Sequence, residues 1–249
     1  MPKPPKPPLF DSGPAWSPSG ESALALAKSA DSTVTKLRNI QGSYSAQYWI
    51  DADKFGMSFG DIKIRDNSTF RLEYQGMRYP SRDRDEPAHK TTLLANGKAA
   101  KFLSKGIDTV KIPISGLKID NSTSAASWAT GLPRYILASI HSESPLAHLV
   151  TMASRPSSGF RVTVGKRAIP FRGRMIYQKR LVVERTPEAA KSAGPLRMAI
   201  TVDSTRGLPV SAHVEAAEKG KSKLVVALSI GWKLTKATFD KKEFDLPTK

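Results

Sequence analysis

Residues 60–102 decide the fold: Gly60-Asp-Ile-Lys-Ile-Arg-Asp66, then Phe70-Arg-Leu-Glu-Tyr74, then Leu93-Leu-Ala-Asn-Gly-Lys98, with Phe102 beyond. Apolar and polar residues alternate in each run, the period of a strand with one buried face. Asn96-Gly97 is a strong short hairpin signal, and it predicts a two-residue primed turn at those residues. Three antiparallel strands with one apolar face therefore follow one another.

Working upstream, Tyr44, Ala46, Tyr48 and Ile50 alternate with Ser43, Ser45, Gln47 and Trp49, which predicts another strand. In Met57-Ser-Phe59 the apolar residues have odd numbers, whereas in Ile62-Lys-Ile64 they are even, so the parity flips at Gly60 and predicts a bulge there. Ser17-Pro18 is expected to open a helix that runs to Lys36, with Ser17 as N-cap. Residues 1–16, beginning Met-Pro-Lys-Pro-Pro-Lys-Pro-Pro, are expected to be an extended, polyproline-like tail, either a spacer or a docking peptide, ahead of one domain spanning 17–249.

Working downstream, the polar residues 76–90 are expected to form a long exposed loop. Pro113 predicts that a strand at Val110–Ile114 either lies at a sheet edge or ends there. Residues 122–140 and 145–152 read as helical, and one-faced strands return at 160–164, 175–183, 198–202, 210–214 and 224–232. The helices are too few and too clustered for alternating β-α-β units. The fold class is therefore mainly β, with about nine to eleven antiparallel strands in one curved sheet that wraps a small helical insert.

Composition narrows function by exclusion. The chain of 249 residues has no cysteine, which excludes disulfides, thiolate nucleophiles and cysteine-bound zinc. His89, His141, His148 and His213 show no metal-ligand spacing, and no phosphate loop, dinucleotide fingerprint or Gly-x-Ser-x-Gly elbow is present. No catalytic residue, metal site or cofactor is expected. Asp203, ahead of Ser-Thr-Arg-Gly, reads as a turn-forming side chain. Lys plus Arg number 39 against 22 acids, a net charge of +17 that favours anionic partners. The densest basic stretch holds Lys166, Arg167, Arg172, Arg174, Lys179, Arg180 and Arg185. It reads either as the outward positions of a solvated sheet or as an anion-binding face. The basic residues are spread along the whole chain rather than clustered with stacking aromatics, which weighs against nucleic acid as partner.

The order of these motifs resembles the LolA-like family of periplasmic lipoprotein carriers. An N-terminal helix precedes an aromatic strand; the Gly60 strand, the Phe70 strand and the Asn96-Gly97-Lys98 hairpin follow. Ile200-Thr-Val-Asp203 with Gly207-Leu-Pro-Val210 matches the family's acidic residue, turn and Leu-Pro, and the segment from Trp232 to Leu246, with Phe239 and Phe244, resembles its last strand. The resemblance implies an open half-barrel whose helices plug or cover a concave face that binds acyl chains. On that basis Tyr48, Phe59, Phe70, Leu72 and Tyr74 are expected to face inward, with Trp128, Tyr135, Ile136 and Leu137 covering them from the helices, around either a lined cavity or a solid core. Asp66 and Asn67 stand where the family's carriers place an Arg-Pro latch, Arg65 lies one position early, and Lys101 stands where an aromatic is usual. The implied partners are an acyl chain or a lipidated protein, with an anionic membrane surface or an acidic protein at the basic face, and the implied location is the periplasm or cell envelope after removal of a signal peptide. A structural or assembly protein that docks through the basic face and Pro-rich tail, and a basic nucleic-acid binder, are the alternative readings.

Overall fold

The computed structural model describes residues 5–11, 13–51, 54–66, 68–79, 89–104, 112–113, 144–217, 223–233 and 236–246. Among the described residues twelve strands form one sheet: β1 (Ser17–Pro18), β2 (Ile40–Ile50), β3 (Lys54–Ile64), β4 (Thr69–Tyr79), β5 (His89–Asn96), β6 (Ala99–Ser104), β7 (Ile112–Pro113), β8 (Phe160–Phe171), β9 (Arg174–Arg185), β10 (Leu196–Asp203), β11 (Leu208–Ala217) and β12 (Lys223–Lys233). Their spatial order is β1-β8-β9-β10-β11-β12-β2-β3-β4-β5-β6-β7, every pairing is antiparallel, and the two-residue strands β1 and β7 are the edges. Among the described residues the edges do not meet, so this is an open half-barrel.

Even-numbered residues of β2 and β12 line the concave face: Tyr44 lies opposite Ile230, Ala46 opposite Leu228, and Tyr48 opposite Val226. The face continues through Ile62 and Ile64 of β3, Phe70 of β4 and Leu93 of β5 on one side. On the other side it continues through Val214, Ile200, Met198, Val183 and Leu181.

Helices α1 (Ala23–Thr35) and α2 (Pro145–Ala153) lie on this face and pack against each other. In α1 the buried positions Leu26, Ala27, Ala30, Asp31 and Val34 form one stripe. A third helix, α3 (Pro187–Ala193), buries no residue; Thr186 caps its start, and Arg185 donates to the carbonyls of Ala193 and Gly194 at its end.

Several expectations are corrected. Ser17-Pro18 pairs with β8 as a strand, and the helix begins five residues later, where the Ser22 hydroxyl accepts from the Ala25 N–H. Strand β4 runs on to Tyr79 and β5 begins at His89, so both ends of the expected 76–90 loop are strand. No bulge occurs at Gly60. The β2–β3 register runs unbroken from Ile40↔Ile64 to Ile50↔Lys54, and β3–β4 pairing stops after Phe59 and resumes at Ile62 in the same register. Glycine is required there for room: a Cβ would lie 1.9 Å from the Glu73 carbonyl oxygen of β4. The parity flip has a second cause, because small Gly56, Ser58 and Gly60 fill the inward positions of β3 opposite Tyr48, Ala46 and Tyr44, and the Tyr48 ring covers Gly56.

A register shift does occur between Thr201 and Val202, opposite Ser211 and Pro209, and the Trp232 indole N–H donates to the Pro209 carbonyl at 2.8 Å. The hairpin between β5 and β6 centres on Gly97-Lys98 rather than Asn96-Gly97. Gly97 alone has a positive φ, of 92°, as a type II′ turn has at its first central residue, and the Asn96 side chain accepts from the N–H groups of Lys98 and Ala99. Finally, residues 241–244 form a single 3-10 turn rather than a strand. Asp240 and Glu243 form a capping box around it, and buried Phe244 meets Phe239 edge-on. The region 122–140 lies outside the described residues.

Candidate functional site

The concave face carries an apolar cavity of about 280 Å³ between α2 and strands β8–β10. Leu149, Met152 and Ala153 of α2 form one wall, and Phe160, Val183 and Met198 form the other. The opposing strands fix the second wall, since Val183 pairs directly with Met198. After α2 the chain turns through Ser154 and Arg155 into a short 3-10 turn at Pro156–Ser158, which brings Arg155, Ser157 and Ser158 to the same cavity. Ser158 is committed locally: its hydroxyl donates to the Ala153 carbonyl at 2.6 Å and accepts from the Phe160 N–H at 3.1 Å. Arg155 is exposed, and its guanidinium has no partner among the described residues. The space thus offers apolar walls with one unengaged cation beside them, suited to a chain with an anionic end.

The cavity lies apart from the residues expected from the sequence. Phe70 is fully buried and Tyr48 and Leu72 are half-buried against the core, all on the concave side as expected. Tyr74 is a residue of β4 paired with Thr91. Phe59 is not inward: it pairs with Ser45 and Gln75 on the convex face and is exposed, because the inward positions of β3 belong to Gly56, Ser58 and Gly60. Trp128, Tyr135, Ile136 and Leu137 lie outside the described residues. Asp66 holds the β3–β4 turn by accepting from the Ser68 N–H and hydroxyl, both at 2.9 Å.

The convex face holds a second constellation. Residues 5–11 and 13–18 lie across it as a strap. The Pro5 carbonyl accepts from the Trp49 indole N–H on β2 at 2.7 Å, and Ser17-Pro18 pairs with Lys166 and Gly165 at the far edge. Between these ends the buried Phe10 ring lies 5.0 Å from that of His213, under the guanidinium groups of Arg180 and Arg197 at 4.7 and 4.1 Å. Asp11 binds Arg180 at 2.6 Å and Arg197 at 3.3 Å. Burial opposes ionisation of Asp11, but these two arginines outweigh it and hold its carboxyl below the usual range. Trp16 stacks on Arg167 at 4.1 Å and stands 5.1 Å from Arg180.

The expected basic face is thereby divided. Arg167, Arg174 and Arg180 occupy convex positions, whereas Lys166 pairs with Lys179 on the opposite face, where Lys179 binds Glu21 at 2.7 Å. Arg172 sits in the β8–β9 turn, in the left-handed region, with its guanidinium over the Phe171 ring. Arg180, far from solvated, is buried. The reading of residues 1–16 as a spacer does not describe Pro5–Trp16, and that reading passed over Phe10, Asp11, Trp16 and Arg197. The available signal was two isolated aromatics, Phe10 and Trp16, in an otherwise polar and Pro-rich segment.

No protein-family model matches the chain, and no curated protein matches it. Among solved structures the chain is similar in fold to LprF from Mycobacterium bovis, at 13% identity and TM-score 0.38 over 89% of this chain and 98% of that one. It is likewise similar to a LolA superfamily protein from Nitrosomonas europaea, at 9% identity and TM-score 0.38 over 91% and 99% of the two chains. A third likeness is to MucB in complex with MucA(peri), at 11% identity and TM-score 0.39, covering 91% of this chain and 60% of that one.

Proposed function

We propose that the chain is a non-enzymatic binding protein of the cell envelope, and that it holds an acyl chain on its concave face between α2 and strands β8–β10. The observation that carries this reading is the cavity of about 280 Å³ walled by Leu149, Met152, Ala153, Phe160, Val183 and Met198, with Arg155 beside it. Each methylene taken from water into such walls contributes about 0.8 kcal/mol, so affinity grows with chain length without any catalytic group. Arg155 then takes the carboxylate or phosphate of the lipid, or the region next to the acyl group of a lipidated protein. The sequence resemblance to the LolA-like carriers agrees with this class of ligand.

Titration with a fluorescent fatty acid tests it. Saturable binding that tightens with chain length, falls in Met198→Trp, which fills the cavity, and weakens in Arg155→Gln is the expected result. Binding that is absent, or unchanged in Met198→Trp while the variant keeps its fold by circular dichroism, overturns it.

The alternative of a docking protein that uses its Pro-rich tail and basic face fits less well. From Pro5 onward the tail is already seated on its own sheet, and Arg167, Arg180 and Arg197 are stacked on its aromatics.

A further inference from the structure

Beneath the strap on the convex face lies a second cavity, of about 120 Å³, remote from the acyl site in surface and in chemistry. Phe10, Trp16, Arg167, Arg180, Ala199, Thr201, Ser211 and His213 line it, and their groups are mostly polar. Among the described residues, two of them carry an unmatched atom and a third, Arg167, has no anionic partner. The Trp16 indole Nε1 is buried with no hydrogen-bond partner. His213 Nε2 is also buried and makes no hydrogen bond among the described residues; Glu215 Oε1 lies 3.5 Å away, an ion pair only when the imidazole is protonated. Arg167 has only neutral acceptors, Gln178 Oε1 at 2.9 Å and the Pro14 carbonyl at 3.5 Å, whereas Arg180 and Arg197 share Asp11. A buried indole N–H can only donate, a guanidinium can only donate, and the imidazole donates in one of its tautomers. Buried polar groups in folded proteins are ordinarily satisfied, and two unsatisfied nitrogens beside a guanidinium without a counter-ion, all on one small cavity, point to an anionic acceptor.

We propose that this cavity binds a small phosphate-type oxyanion, held by Arg167 and Arg180 and by the indole N–H of Trp16, and that the bound ion fastens the N-terminal strap to the sheet. Charge supports the assignment. Arg167 is destabilised as a cation first by burial and then by Arg180, so an anion between the two relieves both effects. The hydroxyls of Thr201 and Ser211 add neutral donors on the cavity floor. The neighbouring Asp11 does not occupy the role, because its two oxygens face Arg180 and Arg197. Trp16 belongs to the strap and Arg167, Arg180 and His213 to the sheet, so an ion bound to both sets adds one more bridge to the Asp11 ion pairs and the stacking of Trp16 on Arg167.

Two ligand sources share this chemistry, free inorganic phosphate and the phosphate monoester of a headgroup. Tryptophan fluorescence and melting temperature, measured at pH 7 and constant ionic strength against chloride, read binding of inorganic phosphate in one arm and glycerol phosphate in the other. A saturable response and a raised melting temperature in at least one arm are expected, and whichever arm saturates identifies the source. Arg167→Gln is expected to weaken binding about tenfold, the loss of one charge-assisted contact. Trp16→Phe, which keeps the ring on Arg167 and removes only the N–H, is expected to weaken it by a smaller factor in the melting-temperature readout. Limited proteolysis supplies the strap readout: phosphate protects the bonds before Trp16 in the unaltered chain and not in Arg167→Gln. No saturable response in either arm, or a response of equal strength in folded Arg167→Gln, overturns the proposal and leaves a water-filled cavity.

Discussion

Asp31, in the middle of α1, caps the start of α2: its carboxylate accepts from the Ala147 N–H at 2.8 Å and from the Leu146 N–H at 3.3 Å. The residue in the N-cap position, Ser144, makes no such bond with its side chain and stands at a φ of 44°. The cap is therefore tertiary, and it explains how a carboxylate that is 2% exposed is tolerated on an otherwise apolar helix stripe. Asp31→Ala is expected to cost about 3 kcal/mol, the sum of a lost cap and two buried donors left unsatisfied. Asp31→Asn, which keeps one acceptor, is expected to cost about half of that. Urea denaturation of the two variants measures the difference, and equal costs would remove the capping role.

Gly60 and Gly56 separate two kinds of crowding. A Cβ at Gly60 meets backbone, the Glu73 carbonyl oxygen at 1.9 Å, whereas a Cβ at Gly56 meets the Tyr48 ring at the same distance. A backbone oxygen in a sheet cannot step aside as a side chain can. Gly60→Ala is expected to destabilise by about 3 kcal/mol, at the upper end of overpacking costs. Gly56→Ala is expected to cost less, and Tyr48→Leu should recover part of it, so a double-mutant cycle gives a coupling energy for the 48/56 pair and none for 48/60.

The strap's anchor is Phe10, buried on the convex face under two guanidinium groups. Phe10→Ala is expected to release residues 5–16 without unfolding the sheet, because Phe10 lies outside the concave core. The expected signs are faster proteolytic cleavage before Trp16 and a fall in stability of about 2–3 kcal/mol, less than for a phenylalanine in the central core. Loss of the whole cooperative transition would show the strap to be part of the core instead.

His213 gives the pH dependence. Burial first, then Arg180 and Arg197, push its imidazole down from 6.5 to about 4, with Asp11 opposing. The groups facing it are Phe10, Arg180, Arg197, Asp11 and Glu215. The unfolded chain therefore takes up a proton near pH 6.5 that the folded chain refuses until about pH 4. Stability is fully present above that higher value and declines as pH falls through the window, by on the order of 3 kcal/mol. Denaturation midpoints in phosphate-free buffer at pH 7 and pH 4.5 check this: the unaltered chain loses stability over that interval, and His213→Gln loses less of it. Asp66 and Glu243, also held low, act in both proteins and cancel in the comparison.

Strand identity was legible where alternation was clean. Phe70, Leu72, Met198, Ile200, Val202, Val214, Val226 and Leu228 lie on the concave side that their spacing assigned, and Asp203 forms the expected turn, accepting from the Thr205 N–H at 2.9 Å. The parity of β3 misled because hydrophobicity is a proxy for direction: Gly56, Ser58 and Gly60 face inward because rings from β2 need the space, and a single strand's pattern does not contain its neighbour's bulk. Ser17-Pro18 carried a good helix-start signal that lost to an open sheet edge, and Ser22 supplied the cap instead. The candidate sites were less legible. The cavity at Leu149, Met152, Phe160, Val183 and Met198 depends on where α2 meets the sheet, and the strap's cavity joins residues from both ends of the chain. No local pattern encodes either.

The seam between β12 and β2 also sets the order in which the molecule can be completed. Tyr48 pairs with Val226, and Trp49 with Val225, so β2 acquires its second neighbour only when nearly the whole polypeptide is available. Until then β2 presents an open row of N–H and C=O groups beside a greasy surface, an invitation to self-association. A nascent chain is thus at its most vulnerable before β12 is available, and docking of β12, carried by its hairpin with β11, against β2 converts two half-sheets into a single body.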